Sequence, residues 1–407
     1  MNIEYWYNLS KDKGINTAME YSDDNNLIHT KASREILTKC YIKIPQYVNS
    51  MYQQYRSTPL KRAINLEKKI ESHNKIFYKY EGNNAVGSHK LNAAIAQVYY
   101  AKREGFDEVC TATGAGQWGC AVAYAARKMR MKCTVFMMGS AYDSIPERVK
   151  FMELMGGTVY RSPNVQEQNM SIKSGNMGIA SSEAIQYSLQ NSSKSYRIAE
   201  IYGSIIFQSI IGIEARMQMD ELGESVDELY ACVGGGSNFG GISSVFVKDK
   251  IEDKRDIKIV AVEPVENPTL TQGEYKMDYG DYYGLTPKMK MYTLGNHFMM
   301  KEIYANGLRY HGMDTVISKL YHDRIITACA YEEEKVMECA LTFFAEEGIL
   351  PAPESAYAIA AAMDAAVSER NKNILICVSG HGYLNINNYY DYRLKKDPFI
   401  RTKAKRG

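Results

Sequence analysis

The sequence has no excess of either charge: 49 Lys and Arg stand against 47 Asp and Glu, a formal net charge of +2 over 407 residues. No whole-protein field exists to hold a polyanion, so a nucleic-acid or membrane-surface role has no electrostatic support. Paired CxxC or metal-type spacing is also missing. The eight cysteines, at 40, 110, 120, 133, 232, 329, 339 and 377, are scattered, several inside apolar runs such as Lys132-Cys133-Thr134-Val135-Phe136. They read as buried free thiols in a reducing cytoplasm. No uncharged apolar stretch reaches membrane length, and Met1-Asn2-Ile3-Glu4-Tyr5-Trp6 lacks the basic start and long apolar core of a leader. Neither secretion nor membrane spanning is expected. Internal repeats and low-complexity segments are absent too, and the 2 Trp beside 32 Tyr form a bias to which we assign no function. What is present is apolar material, 45 % of residues with 24 % charged, enough for one large or two medium domains and incompatible with a disordered or fibrous chain.

From about residue 76 the chain alternates β-rich runs (76–80, 108–111, 133–137, 228–233, 257–262 and 374–378) with helical patterns. Such alternation predicts an α/β fold, a mostly parallel sheet covered by helices. Between Ser88 and Gly105, Leu91, Ala94, Ile95, Val98 and Ala101 recur at helical spacing, with Ser88 as N-cap and Gly105 as stop. Residues 264–311 are rich in Tyr, Gly and Pro without clear periodicity, which predicts a long irregular excursion of the functional kind. The basic tail 401–407 reads as a solvated end.

Three places carry chemistry. Gly234-Gly235-Gly236-Ser237-Asn238 follows an apolar run and precedes a helix-like stretch. Glycines there let backbone N–H groups converge at a helix N-terminus, as a phosphate cradle requires, although a tight turn needs the same residues. The loop lacks the Gly-Lys-Ser/Thr of a P-loop and the GxGxxG of a dinucleotide turn. Lys90, in Gly87-Ser88-His89-Lys90-Leu91-Asn92, falls in a helix's first turn, where the dipole disfavours a cation and makes a neutral, nucleophilic amine more accessible. Schiff-base chemistry needs such an amine, whereas an isolated Lys at a helix start is ordinarily a surface residue. Thr113-Gly114-Ala115-Gly116-Gln117-Trp118-Gly119 is a second glycine-rich turn, suited to a carboxylate. Ser379-Gly380-His381-Gly382 and Glu354, taken singly, read as turn and capping residues.

In order, these pieces resemble the tryptophan synthase β-subunit family, in its second, divergent branch, among the fold type II pyridoxal-phosphate enzymes. The resemblance runs from Arg56-Ser57-Thr58-Pro59-Leu60 through Lys79-Tyr80-Glu81-Gly82 to Ser379-Gly380-His381-Gly382. Leu270-Thr271-Gln272-Gly273-Glu274-Tyr275, Gly284-Leu285-Thr286-Pro287 and Gly307-Leu308-Arg309-Tyr310-His311-Gly312 extend it. It implies that Lys90 carries pyridoxal 5'-phosphate as a Schiff base, and that His89, Gly234, Gly235, Gly236, Ser237 and Asn238 hold its phosphate. Asn92 and Glu354 join the cofactor-binding set, and Ser379 faces the ring nitrogen. Thr113, Gly114, Ala115, Gly116, Gln117 and Trp118 surround the amino-acid carboxylate, with Arg309 among the substrate-binding residues. The implied fold has a smaller α/β unit over 92–205, a larger one from 56–91 and 206–407, and residues 1–55 packed against them. A homodimer, a monovalent-cation site and an α-subunit-like partner are further implications, while no metal ligand set is identified.

The chain departs from the family at one telling place: the Glu that precedes the Thr-Gly-Ala-Gly-Gln turn is Ala112. A methyl group transfers no proton, a loss worth ~10²–10⁴-fold in rate where a general acid is required. The expected activity is therefore β-replacement on a small amino acid by a small nucleophile, through an aminoacrylate. Either serine and indole give tryptophan, or the reaction has diverged toward an activated substrate or another acceptor. A serine or threonine dehydratase, and a catalytically quiet homologue that only binds pyridoxal phosphate or an amino acid, are the alternatives. Tyr310, His311 and Tyr357 are the candidates to replace the missing acid.

Overall fold

The computed structural model describes residues 3–12, 38–164, 175–199, 203–368 and 371–396, so the basic tail lies outside the described residues. Two sheets organise it. The first is four-stranded and wholly parallel, in the order β7-β6-β5-β8, from β5 (Glu108–Thr113), β6 (Lys132–Met138), β7 (Thr158–Ser162) and β8 (Ser195–Arg197). The second is six-stranded, in the order β13-β10-β9-β14-β4-β3. Its members are β3 (Leu60–Arg62), β4 (Lys75–Tyr80), β9 (Glu228–Cys232), β10 (Lys258–Pro264), β13 (Thr327–Tyr331) and β14 (Asn373–Val378). All its neighbours run parallel except the edge strand β3. Every residue of β9 is buried, as expected for a strand with helices on both faces.

Helices fill the layers because their small residues allow close approach to the sheets. Ala93, Ala94, Ala96 and Ala101 of Lys90–Arg103 pack into one core with Ala121, Val122 and Ala125 of Gln117–Lys128. Pro353–Ser368 contributes Ala356, Ala358, Ala360 and Ala362 to a second core beneath the six-stranded sheet. The N-terminal hairpin, β1 (Tyr5–Tyr7) with β2 (Tyr41–Lys43), buries Trp6 edge-on against Tyr52 and Phe207.

Residues 264–311 are more regular than their composition predicts. They contain the antiparallel hairpin β11 (Glu274–Tyr279) and β12 (Lys288–Thr293). Met289 and Met291 alternate inward on β12 while Lys288 points out. That period of two spans too few residues to stand out in a Tyr- and Gly-rich background.

Under the helix that begins at Lys90 lies a buried ionic network. Arg56 grips Glu214 through Nε and Nη2, both at 2.7 Å, and Glu81 through Nη1 and Nη2 at 3.0 and 3.1 Å. Lys79 Nζ reaches Glu214 at 2.8 Å. Asn92 belongs to this network: its Oδ1 accepts from Arg56 at 2.8 Å and from the Tyr55 hydroxyl at 2.9 Å.

Candidate active site

One cavity opens between the two sheets, at the C-terminal ends of β5, β8, β9 and β14. This is where an open parallel sheet presents its loops and helix N-termini to a ligand. Chain crossings weld the parts together. Ser88 bridges Gly380, the His89 N–H donates to the Ser379 carbonyl at 2.9 Å, and the Ala352 N–H donates to the Gly380 carbonyl at 2.8 Å. The helix starts at Lys90, whose N–H donates to Ser88 Oγ at 3.2 Å, and Gly105 ends it with φ of +91°.

Lys90 lines the cavity yet is only 8 % exposed. Its Nζ lies 3.3 Å from His89 Nε2. Burial, and next the Lys90 charge, hold the His89 imidazole well below its ordinary pKa, so it is neutral at pH 7. His89 Nδ1 is buried without a hydrogen-bond partner among the described residues.

Across the cavity, residues 234–238 turn from β9 into the helix Ser237–Glu252. Gly236 sits at φ +100°, a conformation costly for other residues, and a Cβ on Gly234 would lie 2.6 Å from the Gly307 carbonyl. The loop's backbone thus lines the cavity at a helix N-terminus, where an anion is favoured. Ser379 Oγ, at the end of β14, lies 2.8 Å from Ser355 Oγ.

The second glycine-rich turn forms the adjoining wall. Thr113 Oγ1 accepts the Gly119 N–H at 3.2 Å, and Trp118 Nε1 donates to Thr111 Oγ1 at 2.7 Å. Gln117 Nε2 donates to Glu354 Oε2 at 3.0 Å. Arg309 is held by Asn306 Oδ1 and Ser140 Oγ, both at 3.0 Å, and burial lowers its pKa.

Of the site residues read from the sequence, all but two line this cavity. Asn92 is turned into the ionic network behind Lys90, and Gly116 turns the chain into its helix at φ +90°. The wall also contains Met177, Ser181, Arg197, Ile198 and Asn306, which carry no local motif. Among the proposed replacements for the missing acid, Tyr310 lines the cavity, but its hydroxyl donates to the Gly280 carbonyl at 2.7 Å. His311 Nε2 lies 2.8 Å from the Tyr279 carbonyl, and Tyr357 is buried in the second core; neither lines the cavity.

The family model described as "Pyridoxal-phosphate dependent enzyme" matches residues 51–380. The chain belongs to that family. It is 45 % identical over 361 residues to the tryptophan synthase beta chain of Fervidobacterium nodosum, covering 88 % of this chain and 86 % of the relative. The Pyrococcus horikoshii tryptophan synthase beta chain is 40 % identical over 95 % of this chain and 89 % of its own. Tryptophan synthase beta chain 2 of Aquifex aeolicus is 44 % identical over 88 % and 86 %. Within the pyridoxal-phosphate enzymes, then, this is a member of the tryptophan synthase beta chain family. The processed form of threonine deaminase isoform 2 from Solanum lycopersicum shares the fold. Its TM-score is 0.65 at 18 % identity, covering 92 % of this chain and 97 % of that one.

The cofactor of this family fits the cavity. Its wall carries the Gly234, Gly235 and Gly236 backbone and His89, which would suit a phosphate, and the Lys90 amine, which would suit an aldehyde. All eight cysteines are free thiols, six of them buried as expected, while Cys40 and Cys329 are only partly buried. Among the described residues no helix is long and apolar enough to cross a membrane.

Proposed function

We propose that this enzyme carries out pyridoxal-phosphate-dependent β-replacement on a small amino acid, the chemistry that makes tryptophan from serine and indole in the relatives it resembles. The observation that carries this reading is Lys90, a buried amine at a helix start, placed between a phosphate cradle and a carboxylate-binding turn in one cavity.

Bound pyridoxal phosphate supplies an electron sink for negative charge developing at the substrate's Cα. The rest is done by the chain. Lys90 would hold the cofactor through its amine and would take and return the proton at the substrate's Cα. Residues 234–238 and neutral His89 would hold the phosphate. Ser379 would offer a hydroxyl, rather than a carboxylate, to the ring nitrogen, a setting that favours elimination and replacement over transamination. Thr113, Gly114, Ala115, Gln117 and Trp118 hold the carboxylate, and Gly116 shapes their turn. Glu354 stiffens it by accepting from Gln117 and from the Gly307 N–H at 2.8 Å. Asn92 supports the cofactor helix from behind.

Ala112 lines the wall where the family has its acid. Among the described residues the one carboxylate in the wall is Glu354, already engaged on the other side. A leaving group that needs no proton therefore suits this cavity better than hydroxide. The units 92–205 and 56–91 with 206–407, the first carrying the whole four-stranded sheet, are proposed as the parts that close around the substrate. A homodimer, an α-type partner suggested by the relatives' designation as beta chains, and a monovalent cation complete the proposal.

Borohydride reduction of the purified holoenzyme, followed by peptide mapping, should place the pyridoxyl group on Lys90. Turnover of serine, O-acetylserine and threonine, each with and without indole, then separates replacement from dehydration. Label on another lysine, or ketoacid as the sole product, would overturn the reading. Sedimentation tests the dimer.

A further inference from the structure

Arg197 ends β8 beside β5, its Cα paired with that of Cys110, two residues before Ala112. It is 6 % exposed and shares the cavity wall with Lys90 and Ala112. Its Nη2 donates to Ser181 Oγ at 2.7 Å, while its Nε is buried without a partner among the described residues. No carboxylate among the described residues pairs with it. Arg148 and Arg309 also lack a carboxylate partner among the described residues, and Arg309 Nε is likewise unpartnered there, but both use each Nη. Arg148 donates to the Ala115 carbonyl at 2.6 Å and Asn385 Oδ1 at 2.5 Å, and Arg309 to Asn306, Ser140 and the Met300 carbonyl, whereas Arg197 engages Ser181 alone among the described residues. A desolvated guanidinium with no counter-charge among the described residues is costly, and an arriving anion relieves that cost.

We infer that Arg197 and Ser181 form a subsite for an anionic group carried on the reacting side of the substrates, so that the enzyme selects a charged reactant over an uncharged one. The planar guanidinium offers Nε to an oxyanion, and the Ser181 hydroxyl, which accepts from Arg197, keeps its own proton to donate. Ala112 is part of the same device. A carboxylate at that position would share the wall with Arg197 and compete for it, whereas a methyl group leaves the cation open. The anion has two possible carriers, the leaving group of the amino acid or the incoming nucleophile. Both present the same chemistry to Arg197.

The inference rests on the replacement chemistry proposed above, and two matched pairs test it on the holoenzyme. The first compares mercaptoacetate with ethanethiol as nucleophiles toward serine. The second compares O-phosphoserine with serine, ethanethiol being the nucleophile. The anionic member of at least one pair should show a KM lower by about tenfold or more, the usual worth of a charge-assisted hydrogen bond. Which pair responds identifies the carrier. Arg197→Leu should equalise the pair, and Arg197→Lys should restore part of the preference. Equal treatment of both pairs by the wild type, or a preference that survives Arg197→Leu, overturns the subsite. If Arg197→Leu fails to fold, Ser181→Ala is read instead and should narrow the preference. A binding measurement without turnover keeps the two proposals apart. With L-alanine bound, acetate should perturb the cofactor's visible absorption saturably in the wild type and not in the variant, with ethanol as the neutral match. That result supports the subsite even if no replacement is observed, and its absence counts against it.

Discussion

The backbone N–H of Asp314 donates to the Gly235 carbonyl at 2.9 Å, tying the glycine-rich loop after β9 to the start of a second helix. The Asp314 carboxylate caps that helix, Thr315–His322, by accepting the Val316 N–H at 2.8 Å. Burial pushes its pKa up to about 6, against ~3.9 for an unperturbed Asp. The folded state therefore binds more protons than the unfolded state between about pH 4 and 6, and this group's contribution to stability falls as pH rises through that window. Asp314→Asn keeps a capping side chain and removes the titration. The unfolding midpoint of the variant should gain on that of the wild type from pH 4 to pH 7. Parallel pH profiles for the two proteins would contradict the assignment.

Gly235 lines the cavity in the same loop, which we propose as the phosphate site. A branched side chain there obstructs close approach of an anion to the backbone, so Gly235→Val should weaken cofactor retention by about tenfold or more in equilibrium dialysis. A folded variant with wild-type cofactor affinity would reduce the loop to a simple turn.

Ala112→Glu restores a carboxylic acid to the wall beside the carboxylate turn. Turnover of serine with indole should rise, by up to ~10²–10⁴-fold where departure of the hydroxyl limits the rate. The introduced carboxylate also competes for Arg197, so the same variant should lose preference for an anionic reactant. Efficient tryptophan formation by the unmodified enzyme would show that the alanine is no handicap.

Glu214 is buried with Arg56 and Lys79. Burial raises its pKa, but the two cations outweigh that and hold it at about 2. Its folded value is depressed, so the stability it confers is present above the unfolded value of ~4.3 and is lost as pH falls toward 2. Glu214→Gln leaves Arg56 and Lys79 short of a counter-charge in the interior and should cost about 3–5 kcal/mol in urea unfolding at pH 7. The loss should shrink as pH is lowered toward 2.

Much of the fold was legible because its signals are local. The strand read at 108–111, which runs on to Thr113, the helix start at Ser88 and Lys90, and the stop at Gly105 follow from periodicity and capping within a few residues. Both glycine-rich turns were legible for the same reason, since a backbone that must bare its N–H groups or adopt positive φ selects glycine at that point. The hairpin at 274–293 was not, because each strand offers only a few alternating residues. Asn92 shows the limit differently: its motif points to the cofactor, whereas Arg56 and Tyr55, 36 and 37 residues away in sequence, turn its amide to the other side of the helix.

By itself, then, the sequence determined the α/β alternation, the amine at a helix start, the two glycine-rich turns proposed to bind small anions, and the alanine at position 112. Tertiary structure alone decided what surrounds that alanine. Arg197 and Ser181 lie 85 and 69 positions from it in the chain and belong to no motif, yet β8 pairs with β5 and the helix Met177–Gln190 packs across both. A charge's effect depends on distance and on exclusion of water, and sequence spacing encodes neither. Only the packed sheet brings a guanidinium with no carboxylate partner among the described residues to the wall where Ala112 stands.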